Sequence, residues 1–277
     1  MNSLSQKPII FLLLVFLFLF PCRGLLFAED SAPEDKLNKE FLINFKNDFG
    51  QVIVSPAHWK KKDFLKISAV LGTGLILYAV DQDIQQWVQD NRTSSSEDFS
   101  NFITHFGDGV VLAGLIAVLY TSGELSKSNG LRKTALSSLE SWLTTGVVVS
   151  VMKFTIGRAR PYAEESSHFF HPFSTGSRNY SFPSGHASAA FAVATAIAEQ
   201  SKKTYVDAAA YTLASLVALS RVHKDKHWAS DVFIGACLGH FIAKKISALD
   251  RGRNSSKVGL SFQFGQQRQA IAVSIRF

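Results

Sequence analysis

The sequence predicts an all-α fold, a six-helix membrane bundle followed by a short C-terminal β-hairpin. Three observations carry this. Apolar segments recur near residues 64–80, 102–120, 134–157, 185–199, 205–221 and 229–247, separated by short polar loops, and their lengths, about 15 to 24 residues, straddle the roughly 20 needed to cross a bilayer. Several are rich in alanine rather than leucine, and small side chains let helix backbones approach closely. The C-terminal stretch changes period. Val258, Leu260, Phe262 and Phe264 alternate with small or polar residues, as do Ile271, Val273, Ile275 and Phe277, on either side of the polar run Gly265 to Gln269. That is the pattern of two strands sharing an apolar face.

Taken in order, residues 1–28 read as a signal peptide or a retained anchor. Lys7 precedes the apolar run Ile9 to Phe20, and Leu26-Phe27-Ala28 offers a small residue before Glu29. Residues 29–62 form a polar lead-in ending in Lys60-Lys61-Lys62. The helical domain is expected over 63–250 and a tail with the hairpin over 251–277. Gly72 and Gly74 interrupt the first helix. Ala187, Ala189, Ala190, Ala192, Ala194, Ala196 and Ala198 crowd the fourth, and Ala208, Ala209, Ala210, Ala214 and Ala218 the fifth, which places these two at the centre of the bundle. Cys22 and Cys237 are the only cysteines, so a chain cleaved after Ala28 holds no intrachain disulfide. The hairpin is expected to pack on the helical body, because two strands cannot close a barrel in lipid.

The formal charge is +7, but the cations sit at loop ends instead of forming a stripe. Membrane lipids with anionic headgroups therefore suit the chain better than nucleic acid. If all six helices cross, Lys153, Arg160, His186, Arg221 and His227 fall on one side. Lys60 to Lys62, Lys127, Arg132, Lys133, Lys202, Lys203, Lys244, Lys245, Arg251 and Arg253 fall on the other. The positive-inside rule makes the second side cytoplasmic and turns the first toward the periplasm or exterior. A cleaved leader would put residue 29 outside, whereas six crossings with that orientation need it inside. Either the first helix does not span or the leader is retained.

Three clusters carry the chemistry. Lys153 and Arg160 are seven apart, two turns along one helix face, and Pro161 disfavours helix at Arg160, so the helix is expected to end there with both cations presented together. Pro183-Ser184-Gly185-His186 opens the Ala-rich helix. Ser184 suits its N-cap, Gly185 lets the backbone approach an anion, and the free amides of that helix start favour negative charge. Ser220-Arg221 precedes His227 and Asp231, whose spacing of four lets the carboxylate hold a ring nitrogen if the segment is helical. The His/Asp pair alone equally suits half a metal site. No further His, Cys or carboxylate at recognisable spacing completes a ligand set, and three cations would repel a divalent ion. Neither a metal nor a cofactor is expected.

In this order, Lys-x6-Arg-Pro, then Pro-Ser-Gly-His, then Ser-Arg-x5-His-x3-Asp, the clusters resemble the signature of the type 2 phosphatidic acid phosphatase and vanadium haloperoxidase superfamily. The resemblance spans roughly Gly107 to His240. It implies the six-helix membrane bundle of the type 2 phosphatidic acid phosphatases and hydrolysis of a lipid phosphate or lipid pyrophosphate. His227 would be the nucleophile, His186 the acid and then base, and Asp231 the group that orients His227. Lys153, Arg160, Ser184, Gly185 and Arg221 would hold the phosphoryl oxygens. The alternatives are an exported soluble acid phosphatase of the same superfamily, a vanadate-dependent haloperoxidase, for which the chain lacks large extra segments, and a non-enzymatic lipid-phosphate binder. His105, Asp108, His168, His171, Arg178 and the turn His223 to Lys226 are secondary candidates, with Asp108 serving most simply as a helix cap.

Overall fold

The structure is a computed structural model and describes residues 35–201, 203–255, 258–265 and 268–275, with backbone alone beyond residue 253. The leader expected over 1–28 lies outside the described residues. Among them run nine α-helices: α1 (Lys39–Val54), α2 (Lys61–Ala79), α3 (Asp81–Asp90), α4 (Ser94–Ile103), α5 (Gly109–Leu125), α6 (Asn129–Ile156), α7 (Gly185–Gln200), α8 (Thr204–His223) and α9 (Ala229–Ser255). Strands β1 (Val258–Gly265) and β2 (Arg268–Ile275) pair antiparallel, with Val258 opposite Ile275 and Gly265 opposite Arg268.

The observed helices depart from the expected six at three places. The lead-in contains α1, whose start is capped by Asn38 accepting from the Phe41 N–H at 2.9 Å. Asp48 on α1 is fully buried and accepts from Arg253 of α9 at 2.5 and 2.6 Å, so a segment too polar to read as core is fixed by an ion pair across 205 residues of sequence. The connector 81–101 is helical, as α3 and most of α4, and α3 turns away from α2 by 58°. The segment expected as one helix over 102–120 breaks at Gly107-Asp108, where Asp108 caps α5 by accepting from the Val110 N–H at 2.8 Å, and α4 meets α5 at 56°.

Helix α7 lies at the centre. Its buried Ala190 and Ala194 join Ile103 of α4 with Ala214 and Val217 of α8; Val193 joins Leu112 and Ile116 of α5 with Ala135 of α6; Ala187 joins Ala218 and Val222 of α8 with Val232 of α9. Helix α8, expected beside it at the centre, is a flank, with Tyr205 and Leu219 exposed at 65% and 64%. A close backbone approach joins α7 and α9. A Cβ on Gly239 would sit 2.1 Å from the Ser188 carbonyl oxygen, and one on Gly235 2.7 Å from that of Ser184. Gly235-x-x-x-Gly239 is thus a small-residue seam of the kind that packs helices in membranes.

The outer surface is apolar. Leu143, Val147, Val151 and Phe154 line one exposed face of α6, and Leu65, Leu71, Leu75 and Ile76 are exposed on α2. Exposed apolar faces on helices of this length suit contact with lipid. Helices α6 and α9 are each long and apolar enough to cross a membrane, and the bent pairs α2–α3 and α4–α5 qualify if each is one span. The 16 residues of α7 extend about 24 Å at 1.5 Å per residue, less than the roughly 30 Å hydrocarbon core. The chain has the build of a membrane protein.

Candidate active site

The three sequence clusters meet at one end of α6, α7 and α8 and at the start of α9. The route differs from the one expected for the first cluster. Helix α6 stops at Ile156, one residue short of the expected 157 and well before Arg160, because Gly157 takes a left-handed conformation (φ 62°) with its N–H bonded to the Lys153 carbonyl at 2.9 Å. A side chain there would overlap the His171 carbonyl at 1.8 Å. Lys153 therefore leaves from the last turn of α6 and Arg160 from extended backbone beyond it, not from one helix face. They converge nonetheless: Lys153 Nζ donates to the Tyr180 carbonyl at 2.6 Å and Arg160 to the same oxygen at 3.4 Å.

Ser184 caps α7, accepting from the Ala187 N–H at 3.5 Å, a long contact, while its own N–H donates to the Asp231 carbonyl at 3.0 Å. That second bond ties the start of α7 to the first turn of α9. Gly185 faces the Lys153 stem, 3.7 Å from where a Cβ would stand, which leaves the first amides of α7 open toward the cations. His186 follows, packed under the break between α4 and α5: a Cβ on Gly107 would lie 3.0 Å from His186 Cβ and 3.2 Å from Cδ2. Arg221, 7% exposed, donates to Thr104 Oγ1 at 2.5 Å.

The His227–Asp231 contact departs from expectation. His227 precedes α9, and its Nδ1 stands 3.9 Å from Asp231 Oδ2, too long for a hydrogen bond. The Asp231 oxygens are engaged elsewhere. Oδ1 accepts from Arg158 at 2.6 Å, and Oδ2 accepts from Ser181 Oγ at 2.5 Å and from the Trp228 N–H at 3.0 Å. Sequence reasoning counted Arg158 as a spacer inside Lys-x6-Arg-Pro and missed Asp81, Ser181 and Ser230, which complete this buried network. The one signal available was a second arginine two residues before Arg160.

Electrostatically the site is cationic and incompletely paired. Arg160 Nε, Arg221 Nε and His227 Nδ1 are buried without a hydrogen-bond partner. His227 is held well below its ordinary pKa by burial, then by Lys153, Arg160, Arg221 and His186. His186 is lowered to about 4, by burial first and then by Arg221, against an opposing pull from Asp108. Both imidazoles are thus neutral at pH 7. Buried cationic groups with free donors favour an anion. Among the described residues no group of three or more His, Cys, Asp or Glu is arranged to hold a metal ion.

Apart from Asp108, whose charge acts on His186, the secondary candidates are engaged in contacts of their own. His168 packs tilted against Tyr78 with ring centres 4.7 Å apart, His171 pairs with Glu165 at 3.6 Å, and Arg178 donates to the Ala163 carbonyl at 3.0 Å. His223 contacts Ser96 at 2.9 Å, Lys224 bonds Asn101, Asp225 accepts from Gln85 at 2.7 Å and Lys226 lies over Tyr162 at 4.4 Å. His105 belongs to the 3-10 turn Thr104–Gly107.

The chain is similar to several known proteins. The chain is 27% identical over 237 residues to a lipid A 1-phosphatase of Porphyromonas gingivalis, covering 84% of this chain and 48% of that one. It is 28% identical over 199 residues to a lipid A 1-phosphatase of Rhizobium johnstonii, covering 66% and 78% respectively. The chain thus spans about half the length of the first of these relatives. The crystal structure of Aquifex aeolicus LpxE shares the fold at a TM-score of 0.50 and 22% identity, over 60% of this chain and 93% of that one. Residues 134–254 match the family model of the PAP2 superfamily, and those residues hold all three clusters.

Proposed function

We propose that the protein is a membrane phosphatase that removes phosphate from a lipid phosphate through a phosphohistidine at His227, without a metal ion. The observation that carries this reading is the set of buried, unpartnered nitrogens on Arg160, Arg221 and His227 beside Lys153 and the open start of α7. Such a set is costly unless an anion fills it.

Neutral His227 attacks phosphorus with Nε2 as the bond to the lipid oxygen breaks. His186, protonated once the phosphate charge has entered, gives its proton to the departing alkoxide. Lys153, Arg160, Arg221, Gly185 and the Ser184 region hold the phosphoryl oxygens. The ring of His227 becomes cationic as it is phosphorylated, and a closing of the 3.9 Å gap lets Nδ1–H donate to Asp231. Water then attacks the phosphohistidine, His186 takes its proton, phosphate leaves and His227 is restored. Three cations supply the charge that a metal ion supplies in other phosphatases.

The 1-phosphate of lipid A is the first substrate to test, since both relatives above bear the name lipid A 1-phosphatase. We place the site on the periplasmic or exterior side, because Lys127, Lys133, Lys244 and Arg251 gather at the far ends of the helices. The test is phosphate release by the full chain in detergent from lipid A, phosphatidic acid, phosphatidylglycerophosphate and polyprenyl pyrophosphate, with and without chelator. Expected are release from at least one lipid, no effect of chelator, and a loss of roughly a thousandfold or more in His227→Ala. Wild-type turnover by His227→Ala refutes the reading.

A further inference from the structure

The geometry points to Arg158 and Asp81 as positioning residues for this reaction: they hold Asp231 against the His227 ring while leaving the buried cluster one net negative charge. The inference rests on the phosphohistidine reading above. Arg158 is 1% exposed, and Asp81 and Asp231 are fully buried. Every nitrogen of the guanidinium is engaged. Nε donates to the Ser167 carbonyl at 2.9 Å, one terminal nitrogen to Ser230 Oγ at 2.7 Å and to Asp231 Oδ1 at 2.6 Å, and the other to Asp81 Oδ2 at 2.8 Å. Tyr78 and Trp228 wall it in, their ring centres 4.8 and 5.5 Å from the guanidinium carbon. Asp81 in turn accepts from the Ser230 N–H at 2.9 Å and from Ser230 Oγ at 2.5 Å. Neither Arg158 nor Asp81 belongs to the three sequence clusters.

Two carboxylates on one buried guanidinium need a reason. A single Arg158–Asp231 pair would satisfy burial with no residual charge, and a second buried carboxylate adds desolvation and mutual repulsion. It costs stability unless something uses the surplus charge. The phosphorylation step does so: the His227 ring turns from neutral to cationic, and the carboxylate nearest it must not already be neutralised by Arg158. Asp81 matches Arg158, so the negative charge of Asp231 is left for His227. The guanidinium sets where that carboxylate stands and Asp81 sets how much charge it presents. Because neither residue touches the phosphate, their loss acts on the chemical step and not on binding.

The test compares wild type with Asp81→Asn, Ser230→Ala and His227→Ala as full chains in detergent, on a lipid phosphate the wild type hydrolyses, with kcat, KM and melting temperature recorded. Asp81→Asn keeps the size but removes the surplus charge and turns one accepting oxygen into a donating amide, and is expected to lower kcat by roughly 10- to 100-fold with KM nearly unchanged. Ser230→Ala keeps every charge and loosens the scaffold, so it folds where Asp81→Asn does not; it is expected to lower kcat by several-fold, again with little change in KM. Arg253→Ala, a broken ion pair away from the site, serves as the stability control, expected to lower the melting temperature and leave kcat alone. Wild-type kcat in folded Asp81→Asn or Ser230→Ala, or a loss confined to KM, overturns the inference while an inactive His227→Ala leaves the phosphatase reading standing. An active His227→Ala overturns both.

Discussion

Gly239→Ala tests whether the α7–α9 contact sets the catalytic geometry. The added Cβ would stand 2.1 Å from the Ser188 carbonyl oxygen and 3.0 Å from the Ala192 nitrogen, where ordinary contact begins near 3.4 Å. Both obstacles are backbone, so no side chain can swing aside, and the helices must part by about 1 Å. Overpacking of that size costs about 1–3 kcal/mol. The larger consequence lies at the site. Helix α7 begins with Ser184 and His186, α9 with Asp231 just after His227, and the two are pinned by the Ser184 N–H to Asp231 carbonyl bond at 3.0 Å. A displacement of about 1 Å between a nucleophile and its acid lowers turnover about 100-fold. Phosphate release and thermal unfolding would be measured beside Gly146→Ala on α6, where nothing lies within 4 Å of the new methyl and the helix gains up to about 1 kcal/mol. If Gly239→Ala matches Gly146→Ala in both activity and melting temperature, the seam does not set the site.

Acidification is the second prediction. His186 is lowered to about 4 and His227 falls well below 6.5 in the folded chain, so between about pH 6.5 and 4 the unfolded chain takes up protons that the folded one refuses. Stability therefore falls as pH drops through that window, by roughly 3 kcal/mol for His186 alone, and thermal melts of His186→Gln should have a shallower slope there than wild type. The acid limb of kcat/KM should likewise lie well below pH 6.5, since His227 stays neutral until then. Arg253→Ala strips the partner from fully buried Asp48 and should destabilise by about 3 kcal/mol. Lys244→Ala, at an exposed pair with Glu199 of 3.7 Å, should change the melt by less than about 1 kcal/mol.

What the sequence made legible follows from where the physics is local. Helix α7 was readable because its cap Ser184, its amide-baring Gly185 and its alanines are neighbours in the chain. The centrality of α7 followed from the same alanines, but α8 carries nearly as many and proved a flank, because composition does not say which face a helix buries. The end of α6, expected at 157, falls at Ile156, but the extended route from there to Arg160 left no signal, since it depends on the left-handed Gly157 and not on the proline at 161. The break at Gly107-Asp108 left a trace, an aspartate that caps. The polar helix α1 left none, because what fixes it is an ion pair to Arg253 far along the chain.

Arg158, Arg160 and Arg221 show why the support of the site was harder to see than its surface. The three are the same residue type, all largely buried, two of them separated by a single alanine. Arg158 has every nitrogen bonded within the protein, whereas Arg160 and Arg221 each keep a buried Nε without a partner. A paired guanidinium stabilises a fold and an unpaired one invites an anion, yet a linear pattern records neither state. The difference is set by Asp81, 77 residues from Arg158, and by Asp231, which reaches Arg158 only because Gly157 turns the chain back. The spacing of charges therefore marks the groups proposed here to meet the substrate, while the groups proposed to fix their charge emerge only when burial and partners are counted in three dimensions.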